Sequence, residues 1–326
     1  MTNLPNLLSR SPNQSMIPDG ARIAVLIPCF NEEAAIGSVV DDMRRALPDA
    51  TIYVYDNNSA DETVKVARTA GAVVRSEPNQ GKGNVVRRMF ADIEADAYVL
   101  VDGDATYDAT SARAMVERLL TTRLDMVVGC RVHAAAEAYR PGHRFGNVLL
   151  TSFVAWLFGK SFTDILSGYR VFSRRFVKSF PALAKGFETE TELTVHALEL
   201  RMPTAEVDTP YGVRPDGSSS KLSTYRDGLR ILRLILALYK HERPLPFFGI
   251  TAAVLALLSI GLGIPIFLEY ARTGLVPRFP TAILATGIMI LSSLSLTAGV
   301  ILETVTRGRQ ELKRLAYLQV PLFNAE

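Results

Sequence analysis

Short apolar runs at 23–28, 51–55, 97–101 and 125–129 alternate with stretches of helical periodicity at about 33–46, 60–70, 83–95 and 109–121. This alternation predicts an α/β domain, with buried strands in a mostly parallel sheet joined by crossover helices. Residues 142–215 are less regular. They read as a helix at 145–159, a strand at 169–173, a helix at 188–200 and a strand at 204–208. These elements are expected to complete the sheet and line the second side of any site on it.

The pattern changes after Arg214-Pro-Asp-Gly-Ser-Ser-Ser-Lys221. Leu229, Ile231, Leu232, Leu234, Ile235 and Leu236 surround Arg230 and Arg233, and Lys240, His241 and Arg243 follow. Such a helix suits the plane of a membrane interface; an ordinary amphipathic helix on the globular domain is the alternative. Phe247–Leu268 and Thr281–Leu302 contain no charged residue, and each is long enough to cross the hydrocarbon core of a bilayer. Lys240 and Arg243 precede the first span, and Arg307, Arg309, Lys313 and Arg314 follow the second. The positive-inside bias therefore predicts both chain ends in the cytoplasm and the 269–280 connection outside. Two spans without polar lining make an anchor or lipid guide rather than a pore.

The expected division is a flexible tail over 1–20, rich in Asn, Pro and Ser and without a secretory leader, then a sheet domain over 21–220. A juxtamembrane amphipathic helix over 221–246, two transmembrane helices within 247–302 and a cytoplasmic tail over 303–326 complete the chain. With 326 residues, 48% of them hydrophobic, there is room for a sizeable domain besides the spans. The formal charge of +3 is too small to point to nucleic acid. Cys29 and Cys130 both end apolar runs and read as buried thiols, and the four scattered histidines show no spacing for a zinc site.

Chemistry concentrates at the ends of the predicted strands. Asp102 and Asp104, in Tyr98-Val-Leu-Val-Asp-Gly-Asp104, end one apolar run. Two carboxylates one residue apart can reach one divalent cation that also holds a diphosphate, as expected of a nucleotide-sugar transferase; helix or turn capping is the plainer alternative. Upstream, a strand stops at Pro28 within Ile23-Ala-Val-Leu-Ile-Pro-Cys-Phe-Asn-Glu-Glu33 and a helix follows near Glu32, while a second strand runs into Asp56 within Ile52-Tyr-Val-Tyr-Asp-Asn-Asn-Ser59. Ligands in open parallel sheets bind beyond the carboxyl ends of the strands, so three polar strand ends converge on one crevice. Lys82 lies in a Gly-flanked turn opening a helix, where its ammonium and local N–H groups suit a diphosphate, although the full P-loop spacing is absent.

Together these motifs, with Asn79-Gln-Gly-Lys-Gly-Asn84, Ser167-Gly-Tyr-Arg-Val-Phe172 and the paired C-terminal spans, resemble the family 2 glycosyltransferases of GT-A fold. More narrowly, they resemble the polyprenyl-phosphate glycosyltransferases related to dolichyl-phosphate mannose synthase, over roughly 22–320. The resemblance implies a GT-A, Rossmann-like domain followed by interfacial and transmembrane helices. It implies that Pro28, Asn31, Glu32 and Asp56 hold the base and ribose of the donor. Asp102 then contacts the ribose or the metal shell, and Asp104 ligates Mg²⁺ or Mn²⁺. Thr106 stands where many relatives have a Gln, which leaves the third ligand open. The partners implied are a nucleotide sugar, a polyprenyl phosphate and the membrane, with copies of the chain associating through their tails.

The implied reaction is inverting transfer from a nucleotide sugar, by preference UDP-linked, to polyprenyl (undecaprenyl) phosphate on the cytoplasmic face of a bacterial inner membrane. A lipid monophosphate is already largely anionic near neutral pH, because its second ionisation falls near pH ~6, so alignment and cationic groups matter more than a general base. Arg131, Arg140, Arg144 and Arg170 are the candidates for the acceptor phosphate, Arg131 and Arg144 foremost; solvated surface arginine is the alternative for each. Lys221, with Ser220, lies in a Gly-Ser-rich loop similar to one the family uses as a lid. Asp164 is placed to face the sugar, as a positioning group or weak base, and Glu190 is a comparable candidate that the acid preference of a first helical turn also explains. A polymer-forming transferase is disfavoured by the absence of a Gln-x-x-Arg-Trp motif, and a non-catalytic nucleotide-sugar-binding subunit by the Asp-x-Asp pair.

Overall fold

A computed structural model of the chain describes residues 17–133, 141–159, 162–182, 188–212, 214, 224–321 and 323. Seven strands form one sheet: β1 (Ile23–Cys29), β2 (Thr51–Asp56), β3 (Val73–Ser76), β4 (Ala97–Leu100), β5 (Met126–His133), β6 (Arg170–Ser173) and β7 (Thr204–Tyr211). Their order is β3-β2-β1-β4-β6-β5-β7. β6 runs antiparallel to both of its neighbours, β4 and β5, and every other pair is parallel. One sheet edge therefore collects the carboxyl ends of six strands together with the loop that leads into β6.

The strands are apolar throughout because both faces are covered. Ile23, Val25, Ile27 and Cys29 of β1 share one core with Ile36, Val39, Val40 and Met43 of α1 (Ile36–Ala46) and with Ala112, Met115, Val116 and Leu119 of α4 (Ser111–Thr121). α2 (Thr63–Thr69) joins this layer through Ala67. The opposite face carries an aromatic core. Phe90 of α3 (Lys82–Asp92) meets Tyr98, Phe172 and Phe180 edge-on, and Phe176 of α6 (Arg174–Ser179) stacks on Phe172 with centroids 4.6 Å apart. α5 (Pro141–Phe158) and α7 (Thr189–Glu199) complete the domain's helices.

Two short elements escape the apolar pattern. β3 is a four-residue edge strand with a largely exposed sequence, and α6 is six residues long, capped by Ser173, whose Oγ accepts from Phe176 N at 3.2 Å. α1 begins at Ile36 rather than near Glu32, and β1 continues through Pro28 to Cys29. Residues 32–35 form a turn closed by Ala35 N and Ile36 N donating to Glu32 O.

The chain divides into two compact units, and residues 225–312 form the second. α8 (Thr224–Glu242) has the backbone expected of the juxtamembrane helix. α9 (Pro244–Thr273) starts with Pro at its first position and stops at Gly274 in the left-handed region. α10 runs from Phe279 to Gln319. Both are long and apolar enough to cross a membrane. Their contact uses small groups and hydroxyls: Ser259 Oγ donates to Ala285 O, Ser292 Oγ to Ala252 O and Ser295 Oγ to Phe248 O, at 2.7, 2.7 and 3.1 Å. Most large side chains of the pair, such as Leu257, Phe267, Ile290 and Leu294, are exposed.

Residues 303–319 continue α10 as helix. The last turns of α10 belong to the first unit, where Lys313 Nζ donates to Glu199 at 2.5 Å, Arg314 to Leu200 O at 2.7 Å and Tyr317 Oη to the buried Asp125 at 2.9 Å.

Candidate active site

The order β2-β1-β4 makes the ends of β1 and β4 a topological switch point, where chain connections leave in opposite directions and open a crevice. The Asp-x-Asp loop lies there. Gly103 permits its close packing: a Cβ would come within 2.6 Å of Cys29 Sγ. Ala105 takes φ 57°, a left-handed conformation uncommon for alanine, and so turns the loop back between Asp104 and Thr106. Thr106 then donates to Asp104 Oδ1 from N and Oγ1, at 3.2 and 2.6 Å.

Each acid faces a cation. Lys82, at the start of α3, donates to Asp102 Oδ1 and to Glu190 Oε1, each at 2.5 Å. Burial by itself lowers the pKa of this ammonium, but the two carboxylates outweigh that and hold it above its ordinary value. Arg214, beyond β7, pairs with Asp104 Oδ2 at 2.7 Å. Glu190 is buried in the first turn of α7, so it belongs to the site and is more than a favourable helix-start charge. Gly168 packs directly on the Asp102 carboxylate, leaving no room there for a Cβ.

A second charged pair lies at the end of β5 and in the loop before β6. Arg131 embraces Asp164 with two parallel bonds, Nε to Oδ2 at 2.6 Å and Nη2 to Oδ1 at 2.7 Å. The guanidinium carbon also lies 5.5 Å from the centre of the Tyr211 ring. Tyr107 links the two regions. Its ring meets Tyr211 and Tyr169, its hydroxyl accepts from Gly168 N at 2.9 Å, and burial raises its pKa. Beside this pair, Cys130 and Thr163 both bond Glu206 of β7, and burial pushes the Cys130 thiol up to about 12, an inert structural sulfur.

The loops after β1 and β2 are sewn together. Asn31 takes φ 52°, donates from N to Ser59 Oγ at 2.9 Å and accepts from Ala60 N through Oδ1 at 2.8 Å. Glu32 N donates to Thr63 Oγ1, and the buried Asp56 accepts from Ser59 N with both oxygens. Pro28 pairs in register with Tyr55, next to Asp56. All four predicted donor-side residues thus sit at the ends of adjacent strands, together with Lys82 beyond β3 and Asp102 beyond β4.

Arg170 requires a correction. Its side chain is fully buried in the centre of the sheet, where Nε donates to Ser167 O, Nη2 to Ile165 O and Nη1 to Thr194 Oγ1, at 2.9, 2.5 and 2.8 Å. No phosphate can reach it. All four residues of β6 are buried, because the sheet is covered on both faces there, so this arginine lies inside the domain on either face. Arg140, Ser220 and Lys221 lie outside the described residues, and Arg144 lies in the first turn of α5, where only the backbone is described.

The motif reading assigned no role to four residues of the site: Arg214, Tyr107, Asn57 and Glu77. Asn57 donates to Glu77 O and Asn79 O at 2.8 and 2.9 Å and accepts from Gly81 N at 2.7 Å, so it shapes the turn that presents Lys82. Its signal was its place inside Asp56-Asn-Asn-Ser59. Arg214 had none beyond following a strand.

A sheet with a switch-point crevice, paired acids beyond its central strand and two flanking cations defines a GT-A glycosyltransferase. The family model described as Glycosyl transferase family 2 matches residues 24–180. Glycosyltransferase AglJ of Haloferax volcanii is 32% identical over 310 residues, 93% of this chain and 100% of its own. The dolichyl-phosphate hexose transferase of the same organism is 28% identical over 221 residues, 68% of this chain and 95% of its own. Glucosyl-3-phosphoglycerate synthase of Mycobacterium tuberculosis, crystallised with Mn²⁺, UDP-glucose and glycerol 3-phosphate, aligns at a TM-score of 0.55 and 26% identity, covering 68% of this chain and 80% of that one. The chain belongs to glycosyltransferase family 2.

Proposed function

We propose that this enzyme transfers a sugar from a nucleotide sugar, UDP-linked by preference, to polyprenyl phosphate at the cytoplasmic face of a bacterial inner membrane, with inversion at the anomeric carbon. The observation that carries the reading is the pairing of Asp102 and Asp104 with Lys82 and Arg214 beside the Arg131–Asp164 pair, in a chain with two helices able to span a bilayer. The similarity to a dolichyl-phosphate hexose transferase supports the lipid class of the acceptor.

Asp102 and Asp104 fit a divalent ion. They offer hard carboxylate oxygens, and each is balanced by one cationic side chain that a metal–diphosphate pair can displace. Asp102 and Asp104 would be the residues to hold Mg²⁺ or Mn²⁺, hard cations that favour carboxylate oxygens. The neighbour crystallised with Mn²⁺ and UDP-glucose supports both the ion and the donor class. Bound there, the ion supplies positive charge to the departing diphosphate.

In the reaction an oxygen of the lipid phosphate attacks the anomeric carbon. The bond to the diphosphate breaks, and its electron pair leaves with the nucleoside diphosphate. The attacking phosphate carries its own charge near neutral pH, so the residues align and attract rather than deprotonate. Arg131, locked by Asp164, presents a pre-set guanidinium to the acceptor phosphate, with Arg144 a second contact. Lys82 meets the donor diphosphate, and Asp56 with Asn31 holds the nucleoside.

The test is nucleoside diphosphate release by detergent-purified protein, given undecaprenyl phosphate, Mn²⁺ or Mg²⁺ and a panel of UDP- and GDP-sugars. Release that needs both lipid and one donor is expected. Release that is indifferent to the lipid overturns the acceptor assignment.

A further inference from the structure

Arg170 is fully buried in the catalytic unit, and its position poses a physical question. A buried guanidinium with no contacting carboxylate among the described residues is costly, and burial lowers its pKa while the more distant Glu190 and Asp164 charges raise it. Its hydrogen bonds go to carbonyl, hydroxyl and thioether acceptors instead: Ser167 O, Ile165 O, Thr194 Oγ1 and, at 3.5 Å, Met126 Sδ. Besides Met126 on β5, those acceptors lie on two segments.

The first segment is the loop into β6. It carries Asp164, which fixes Arg131, and Gly168, which abuts Asp102 and donates to Tyr107. Ser167 Oγ closes it by donating to Gly129 O at 2.6 Å. The second segment is α7. Thr194 Oγ1 accepts from Arg170 and donates in turn to Glu190 O at 3.1 Å, one helical turn earlier, and the Glu190 side chain holds Lys82. One buried side chain thus reaches Lys82 through Thr194 and Glu190, and Arg131 through Ile165 and Asp164.

We infer that Arg170 is a positioning residue that sets the spacing between the two cations of the transfer site, Lys82 on the donor side and Arg131 on the acceptor side. The inference rests on the proposed transfer reaction for those two roles. Its chemistry is that of a multidentate clip: a planar guanidinium spans three acceptors in fixed directions, which a lysine ammonium does not.

Thr194→Val keeps the side-chain shape and cuts the link to α7 alone, whereas Thr194→Ser keeps the hydroxyl. Steady-state kinetics and thermal melting are measured for both, with Arg170→Lys as a third variant. Thr194→Val is expected to raise the KM for the nucleotide sugar on the order of fivefold, about one hydrogen bond of positioning, with the acceptor KM unchanged. Thr194→Ser is expected to restore the donor KM, and Arg170→Lys to raise both KM values.

A purely structural role predicts a lower melting temperature and less active protein with both KM values unchanged; that result, or equal behaviour of the Val and Ser variants, overturns the inference. If the unmodified chain turns over with an acceptor other than polyprenyl phosphate, the lipid assignment falls and the donor KM still decides. If it turns over no donor, calorimetric titration with UDP and GDP decides: about fivefold weaker binding by Thr194→Val than by Thr194→Ser sustains the inference, and equal binding ends it. Should Arg170→Lys fail to fold, the Thr194 pair carries the test.

Discussion

The sheet unit and the apolar helix pair treat polar groups in opposite ways. In the sheet unit, charged side chains are buried, and long-range partners hold them: Lys82 with Glu190, Arg131 with Asp164 and Lys313 with Glu199 as ion pairs, Arg170 with uncharged acceptors. The apolar stretches Phe247–Leu268 and Thr281–Leu302 of the helix pair have no charge to bury, and hydroxyls along them bond a carbonyl of the facing helix or of their own preceding turn. A domain whose unfolded chain is hydrated can afford buried ions only where long-range partners are supplied. A helix pair suited to lipid needs nothing beyond its own backbone and small residues at the contact.

Four substitutions or conditions break or sharpen this contrast. The largest effect is expected from Asp104→Ala, which removes the acid facing Arg214: turnover should fall about a thousandfold while melting temperature and membrane insertion are kept. Full activity in added Mn²⁺ would sink the ligand assignment.

Next is Lys313→Met, which leaves Glu199 buried without its ammonium and should cost about 3 kcal/mol in the sheet unit's stability, read by thermal or denaturant unfolding. An unchanged midpoint would mean that the end of α10 does not dock on this unit in solution.

The third concerns pH. His196 is buried against Phe176, Phe180 and Ser179, and burial, with Lys313 nearby, lowers its pKa to about 3. The folded state therefore binds fewer protons than the unfolded chain below pH ~6.5, so stability present above that pH falls as pH drops towards 3, by up to about 1.4 kcal/mol per unit. His196→Leu should flatten the slope between roughly pH 6.5 and 5, before most carboxylates titrate. An equal slope in both proteins would assign the acid lability elsewhere.

The smallest effect is expected in the helix pair. Ser292→Ala removes one hydroxyl bond across it and should cost only about 0.6 kcal/mol in detergent or bilayer unfolding. A loss as large as that of Lys313→Met would erase the contrast between the units.

The same contrast separates what could be read from the chain alone. The apolar stretches stood out from hydropathy, and the helices that contain them run further, over Pro244–Thr273 and Phe279–Gln319. The main strands and helices were legible since each buries a continuous apolar run, whereas β3 and α6 were not, being short and stabilised by neighbours rather than by their own pattern. The acids of the site were legible as polar residues ending apolar runs. Their partners were less so: Arg214, Tyr107 and the Lys82–Glu190 contact join residues up to 110 positions apart, and no local pattern records such a meeting.

Sequence by itself determined the α/β class, the two apolar helices and the place of the Asp-x-Asp pair at a strand end, because burial and strand ends are local consequences of side-chain type. Only the tertiary structure decided the fate of the arginines. Because β6 runs opposite to its neighbours, the loop before it reaches the edge where β5 ends and Asp164 meets Arg131, while Arg170, in a strand covered on both faces, is buried among uncharged acceptors.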